Sequence, residues 1–463
     1  MSSVSTKPAS GFRDFLPSDM KKREHVFQTI REVYNGFGFD ALDTPTLERL
    51  ETLLGKYGDE GNQLIFKVLQ RGEKFQEAIA AGKYAETELA DMGLRYDLTV
   101  PLARVFAEYS HKLPRIFKRY QIAPVWRADR PARGRFREFY QCDVDVVGSG
   151  SMLVEAEVSA AVSTVLDRLG FADARIHLNH RQLLRALIAY AGIDVAQEGA
   201  TLVAIDKLDK IGAAGVKAEL EGRGIAGECI DKLLPLLSIE AGRKADGTGW
   251  DNDAVLAKLE EAVGGLEAGQ VALKELRQVL AFASESAAAG RLRIDPFLAR
   301  GLSYYTGPIF EIRSDDFPGS LGGGGRYDGL IGMFGKASAP ACGFSLGVER
   351  LIVLMEERGL FGEVSSAPDV LVTQWSEALA ARTLAVATAL RAAGLRVELY
   401  PDYTDKYKKQ FKFADERGIR VVVAIGDKEA AEGQVSIKDM QSGEQVSVAS
   451  GEAAATIKSI LGR

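Results

Sequence analysis

Apolar residues at Val26, Phe27, Ile30, Val33, Tyr34 and Phe37 recur at helical spacing behind Ser18, a residue suited to cap a helix, and Gly36 and Gly38 close the run. A short strand over Phe39–Asp43 follows and stops before Thr44-Pro45. From Leu94 to Gly148 extended apolar runs alternate with charged turns, the pattern of an antiparallel sheet, and Leu153–Leu169 returns to helical spacing. From about Asp194 to Leu292 alanine, leucine and glutamate rise, and positions such as Val255, Leu256, Leu259 and Val263 predict helices. Strands resume at Asp295 and run to Ile312, with Pro308–Ile312 and a glycine-rich turn at Gly319–Gly325 forming a hairpin. Cys342–Glu356 combines a strand with a buried helix carrying Leu351, Ile352, Leu354 and Met355. After a linker-like stretch at Phe361–Pro368, strand-like runs at Asp369–Thr373, Leu395–Leu399 and Arg420–Ile425 alternate with helical patterns, which indicates a small α/β domain.

Composition narrows the class. The chain has 463 residues, 46% hydrophobic and 26% charged, enough for two to four soluble globular domains. No uncharged apolar run approaches a membrane span, and the start MSSVSTKPASG lacks the apolar core of a secretory signal, so no membrane partner is expected. Cys142, Cys229 and Cys342 lie far apart, without CxxC spacing; an odd count argues against a disulfide framework, no metal ligand set is predicted, and a reducing cytoplasm fits. Net charge is −6, so nucleic-acid contact requires a local patch. Nine cations between Lys112 and Arg137, opposed there only by Asp129, suggest polyanion binding, and by themselves read as a solvated hairpin facing nucleic acid.

The chemistry concentrates in ARGLSYYTGPIFEIRSDDFPGSLGGGGRYDG, Ala299–Gly329, where Arg300 and Arg326 offer guanidinium forks for carboxylate or phosphate and four glycines permit close backbone approach. The segment resembles the two histidine-specific signatures of the histidyl-tRNA synthetase family, usually RGLDYYTG and GGGRYDGL, with Ser303 the departure inside the first. The Ser18 helix, strand and proline resemble the first motif of class II synthetases, which builds the dimer interface in that family. FKRYQIAPVWRADRPARGRFREFYQCDVDVVG, Phe117–Gly148, resembles the second, and Pro340–Arg350 the third. The resemblance implies an α+β protein: an antiparallel-sheet catalytic core interrupted by a helical insertion, plus a C-terminal α/β anticodon-binding domain. The expected division is 1–193 and 293–360 for the core, 194–292 for the insertion, 361–368 for the linker and 369–463 for the anticodon-binding domain.

It further implies activation of L-histidine by ATP, with Mg²⁺ on the β- and γ-phosphates, and transfer of histidine to histidine tRNA by a homodimer. By resemblance Arg127 holds the α-phosphate, Arg135 the nucleotide phosphates, Asp129 the adenine or the tRNA end, Phe139 the adenine face and Arg350 the γ-phosphate. Arg300 would be the catalytic arginine, placed where other class II members use a metal ion. Asp97, Thr99 and Gln141 would take the α-amino group, Asp145 one imidazole nitrogen and Tyr305 the other, with Tyr304 in the same pocket. Hydroxyls and carboxylates are the right types for an ammonium and an imidazole, and a pocket built on such bonds rejects apolar analogues by roughly 10⁴ to 10⁵. No protein general base is needed for activation, because the substrate carboxylate is already ionised, so His25, His111, His177 and His180 need no catalytic role. The base for the transfer step stays open.

Many bacterial members read RPQ in the motif-two loop, with the glutamine on the extra 5′ guanylate of histidine tRNA; here Arg130-Pro131-Ala132 implies less dependence on it. Tyr403, Lys406, Tyr407, Lys408, Lys409, Phe411 and Lys412 mix stacking surfaces with cations, as anticodon binding requires, and alone also fit a solvated helix face. Two alternatives are a non-catalytic relative, such as the regulatory subunit of ATP phosphoribosyltransferase, and a class II synthetase for threonine or proline. The retained arginines argue against the first and the histidine signatures against the second.

Overall fold

The computed structural model describes residues 4–237, 250–299, 304–335, 338–362 and 367–463. They form two compact units, Met1–Phe15 with Lys22–Gly362, and Leu16–Lys21 with Glu363–Arg463. The Pro17–Gly36 helix buries Val26, Phe27, Ile30, Val33 and Tyr34 as their spacing predicts. It ends where Gly38 adopts a positive φ of 74°, a conformation that costs glycine little.

The strands in chain order are β1 (Asp40–Ala41), β2 (Leu47–Arg49), β3 (Lys67–Leu69), β4 (Ala90–Leu94), β5 (Phe117–Trp126), β6 (Glu138–Val147), β7 (Arg175–His180), β8 (Leu292–Ile294), β9 (Pro308–Ser314), β10 (Phe317–Arg326) and β11 (Ala341–Gly347). Eight build the main sheet in the order β1-β5-β6-β11-β10-β9-β7-β8, and β2-β4-β3 make a smaller antiparallel sheet. The six central strands are antiparallel, and only the outer pairs β1/β5 and β7/β8 are parallel. Opposite residues in such a ladder share a face. Gln141, Asp143 and Asp145 of β6 therefore stand on one face with Gly347, Ser345 and Gly343 of β11. The Leu153–Arg168 helix covers the sheet with an almost continuously buried surface. Within residues 194–292 the described elements are mainly helices, including Asn252–Val263, which buries Val255, Leu256, Leu259 and Val263, and Glu267–Ala283.

Four expectations from the sequence need correction. Gly322–Gly325 are not a turn: they pair with both β9 and β11, and the chain reverses at Asp315-Asp316. Glycine signals close approach here, since a Cβ at Gly324 would collide with the carbonyl of Gly343. The stretch after Leu94 is not all extended, because Thr99–Tyr109 is a helix burying Val100, Leu102, Ala103 and Val105, with the Asp97 carboxylate accepting from Val100 N–H. Strand structure returns at Leu292 rather than Asp295 and is interrupted before Pro308. The nine-cation run is not one face: Arg119 is fully buried, Lys118 pairs with Glu157, Arg133 with Glu357 and Arg135 with Asp129.

The second unit carries β12 (Val370–Val372), β13 (Val397–Leu399), β14 (Val421–Ala424), β15 (Gln434–Asp439) and β16 (Gln445–Ala449) in the order β13-β12-β14-β15-β16. The first three are parallel and joined through the Glu377–Ala392 and Tyr407–Glu416 helices, as a crossover requires. The β15/β16 hairpin is an addition that the alternating pattern did not predict. Among the described residues no helix is long and apolar enough to cross a membrane.

Candidate active site

A cavity of about 290 Å³ opens on the face of the main sheet that carries Gln141 and Ser345. Asp97, Thr99, Gln141, Tyr304 and Tyr305 line it, and so do Arg127, Asp129, Arg135, Phe139 and Arg350. Ten residues from four separated segments, singled out by sequence for one substrate pair, thus share one space. Arg130 and Ala132 stand off it on an exposed turn, and Asp145 lies beneath its floor. Arg300 and Ser303 lie outside the described residues. Arg326 is not available to a ligand: it is buried, with Nε and Nη2 donating to Glu155 at 2.6 and 2.9 Å.

The polar end is dominated by buried carboxyls. Asp97 Oδ2 accepts from the Tyr304 hydroxyl at 3.1 Å, and burial pushes its carboxyl up while the Val100 N–H and the Arg127 guanidinium pull it back. Asp145 accepts from the Tyr327 hydroxyl and sits 2.8 Å from the guanidinium of Arg119, yet burial still raises it. A Cβ at Gly343 would collide with this carboxylate, so glycine makes room for it. Asp143, opposite Ser345, is pushed up to about 7, by burial first, with Arg119 opposing. Gln141 donates from Nε2 to Ser345 Oγ at 2.6 Å, which fixes the amide at the cavity wall. Such a floor is suited to a cationic amine and a ring bearing N–H donors.

The other end is cationic. Arg127 donates from Nε to the carbonyl of Tyr96 at 3.1 Å, and its guanidinium lies 4.2 Å from the Tyr96 ring centroid and 5.2 Å from that of Phe139. Arg135 pairs with Asp129 at 2.7 Å. Arg350 donates to the carbonyls of Gly134 and Ser320, which ties the third motif to the motif-two loop and to β10. Glu311, buried and bonded at 2.6 Å by Arg313 Nε, adds one carboxylate to the wall. His177 and His180 are buried against Asp295 and Glu275 at 2.8 Å each, and neither lines the cavity. Among the described residues no group of three or more His, Cys, Asp and Glu side chains could hold a metal ion.

Sequence reasoning missed Arg119, Asp143, Ser345, Tyr327 and Tyr57. Asp143 had a signal, since alternation in Gln141-Cys-Asp-Val-Asp145 puts it on the face of its two predicted neighbours. Its raised carboxyl has a consequence for stability. The folded chain keeps this proton up to about pH 7, whereas an unfolded aspartate releases it near 3.8. The folded state therefore binds more protons between those values, and stability falls as pH rises through that window. Asp143→Asn is expected to shrink the difference in denaturant midpoint between pH 5 and pH 8; an unchanged difference would contradict the assignment.

Comparison with known proteins agrees with this geometry. Residues 11–351 match the family model described as histidyl-tRNA synthetase, and residues 369–460 match the anticodon binding domain. A histidine tRNA ligase of Phocaeicola vulgatus is 40% identical over 98% of this chain and 100% of its own, and one of Porphyromonas gingivalis is 42% identical over 94% and 95%. The crystal structure of histidyl-tRNA synthetase from a Nostoc species superposes with a TM-score of 0.82 at 33% identity, covering 99% of this chain and 100% of that one. A structure described as an ATP phosphoribosyltransferase regulatory subunit/histidyl-tRNA synthetase, from Bacillus halodurans, reaches a TM-score of 0.72 at 23% identity over 91% of this chain and 98% of its own, a likeness of fold alone. Matched along nearly its whole length, and with ten of its predicted site residues lining one cavity, the chain belongs to the histidyl-tRNA synthetase family.

Proposed function

We infer that the cavity activates L-histidine with ATP to histidyl-adenylate and pyrophosphate, and that the enzyme then transfers histidine to the 3′ end of histidine tRNA. The observation that carries this reading is the placement of Asp97 and Gln141 in one cavity with Arg127 and Arg350. In the first step the histidine carboxylate attacks the α-phosphorus and pyrophosphate leaves. Charge spreads over the phosphoryl oxygens at that moment, and a cation already fixed in place stabilises it without reorganisation. Arg127, anchored through Nε, is assigned that task, with Arg300 as its partner on the strength of the family signature. Phe139 stacks on the adenine, Arg135 and Arg350 hold the outer phosphates, and Asp129 holds the adenine or the tRNA end. Mg²⁺ would accompany ATP as the counter-ion of its phosphates, and Glu311, one of the carboxylates lining the cavity, is of the oxygen-donor type that Mg²⁺ takes.

Asp97, Thr99 and Gln141 take the α-amino group, with Tyr304 steadying Asp97; Tyr305 meets one imidazole nitrogen, and Asp145, beneath the floor, is assigned the other by the family resemblance alone. The core is divided as 1–193 and 293–360, with 194–292 as the helical insertion, a linker at 361–368 and the anticodon-binding domain at 369–463. The enzyme works as a homodimer in the cytoplasm; its three free cysteines suit a reducing compartment. The motif-two turn, closed by the Ala132–Arg135 bridge, presents Arg130 and Ala132 to solvent for the tRNA acceptor end. Charging of histidine tRNA transcripts with and without the extra 5′ guanylate is the test. Both are expected to be charged at comparable rates. A large loss on removing the guanylate would contradict the reading of Ala132, and failure to charge either would contradict the function.

A further inference from the structure

Asp97 is held by a residue that belongs to none of the motifs above. Its Oδ1 accepts from the Val100 N–H and from the Tyr57 hydroxyl, each at 3.0 Å, while Oδ2 accepts from the Tyr304 hydroxyl. Tyr57 is 6% exposed and does not line the cavity, so it can reach a substrate only through Asp97. Its ring packs 4.6 Å from that of Tyr96, the ring on which the Arg127 guanidinium rests, and joins the cluster of Leu50, Leu53, Ile65 and Ala90. A Cβ at Gly61 would collide with Tyr57 Cβ, so glycine there lets the Gly58–Gln63 helix close over this tyrosine. A segment between β2 and β3, remote in sequence from every signature, therefore delivers a buried hydroxyl to the carboxylate of the amino-acid pocket.

We propose that Tyr57 is a positioning residue for the α-amino group of histidine: its hydroxyl holds Asp97 Oδ1 in the orientation that grips the ammonium. The inference rests on the reading that Asp97 takes the α-amino group. A carboxylate accepting three donors has little freedom to turn away from its ligand, and each donor favours the charged form. Burial, the largest influence on Asp97, works the other way. The groups facing it are Tyr57, Tyr304 and Arg127, which favour ionisation, and the buried Asp143 and Asp145 carboxyls, whose own ionisation Asp97 disfavours. The Tyr305 hydroxyl is raised by burial first and by Asp97 next.

Tyr57→Phe keeps the ring and removes the hydroxyl. In pyrophosphate exchange it is expected to raise KM for histidine about tenfold, the scale of a lost hydrogen bond to a charged group, with kcat and KM for ATP unchanged. The acid limb of kcat/KM for histidine moves to higher pH. Imidazolepropionate, which lacks the amino group, should inhibit competitively with the same Ki in both proteins. That split separates positioning from a general loosening of the pocket. An unchanged histidine KM, or a KM and Ki that rise together, overturns the proposal. Asp97→Asn serves as the control: if it raises KM while Tyr57→Phe does not, the role of Tyr57 fails alone, and if it too leaves KM unchanged, the reading of Asp97 fails with it.

Discussion

Arg127→Ala is expected to slow histidyl-adenylate formation by about 10³-fold or more, the scale of arginines that stabilise phosphoryl transfer. The residue stands at the end of β5, anchored through Nε to the Tyr96 carbonyl and stacked against Tyr96, so its guanidinium is in place before the substrates arrive. Its loss removes a charge from the cavity wall without opening the core, since the side chain is only half-buried. The fold should therefore persist while the chemical step fails. Single-turnover formation of adenylate, with histidine and ATP both saturating, measures that step directly. A rate near that of the parent enzyme would remove Arg127 from the role assigned to it. Arg127 is also among the groups that favour ionised Asp97, so histidine affinity should weaken as well, by less than the chemical step.

Arg23→Ala is expected to destabilise the folded enzyme by about 3 kcal/mol, toward the lower end for breaking a buried ion pair. Arg23 and Glu349 are 3% and 4% exposed and bonded in bidentate fashion, Nη1 to Oε2 at 2.8 Å and Nη2 to Oε1 at 2.9 Å. Phe15 lies 4.0 Å from the guanidinium and Tyr140 5.0 Å, so little water can replace the lost arginine. Arg13 also reaches Glu349, which limits the damage. Burial pushes the Glu349 carboxyl up, but Arg23 and Arg13 outweigh it and hold the group below its usual range. A carboxylate depressed in this way contributes stability above its unfolded value that is lost as pH falls through the folded one. Denaturant unfolding at neutral pH should show the loss in Arg23→Ala, and acidification should narrow the gap between variant and parent. A variant as stable as the parent at neutral pH would contradict this account. Glu349 lines the cavity beside Arg350, so the pair joins the first motif to the third as well as holding the fold.

Periodicity made the first helix and the Asn252–Val263 helix legible, because each buries one spaced set of residues; the Leu153–Arg168 helix was legible too, although it is buried almost all round. Ten residues that line the cavity were legible through the short motifs that resemble the family's, which lie in four separated segments. What remained hidden depends on partners far away in the chain. Nothing local to Lys118 reveals Glu157, and nothing local to Arg119 reveals Asp145, so a run that looked like one polyanion-binding face is divided among a buried arginine, paired cations and exposed ones. Glycine is ambiguous for a related reason: the freedom that suits Gly322–Gly325 to a turn also suits them to a strand packed close to its neighbours. Tyr57 sits in LLGKYGDEG, a stretch without periodicity, and only the fold brings its hydroxyl to Asp97.

Selection of histidine and its coupling to ATP in one cavity is the property on which the proposed function rests. Pyrophosphate exchange measured with each of the standard amino acids, in the absence of tRNA, tests it most directly. ATP-dependent exchange is expected with histidine and none above background with the others. Exchange with a different amino acid at a comparable rate, or with none at all in a folded protein that binds ATP, would contradict it.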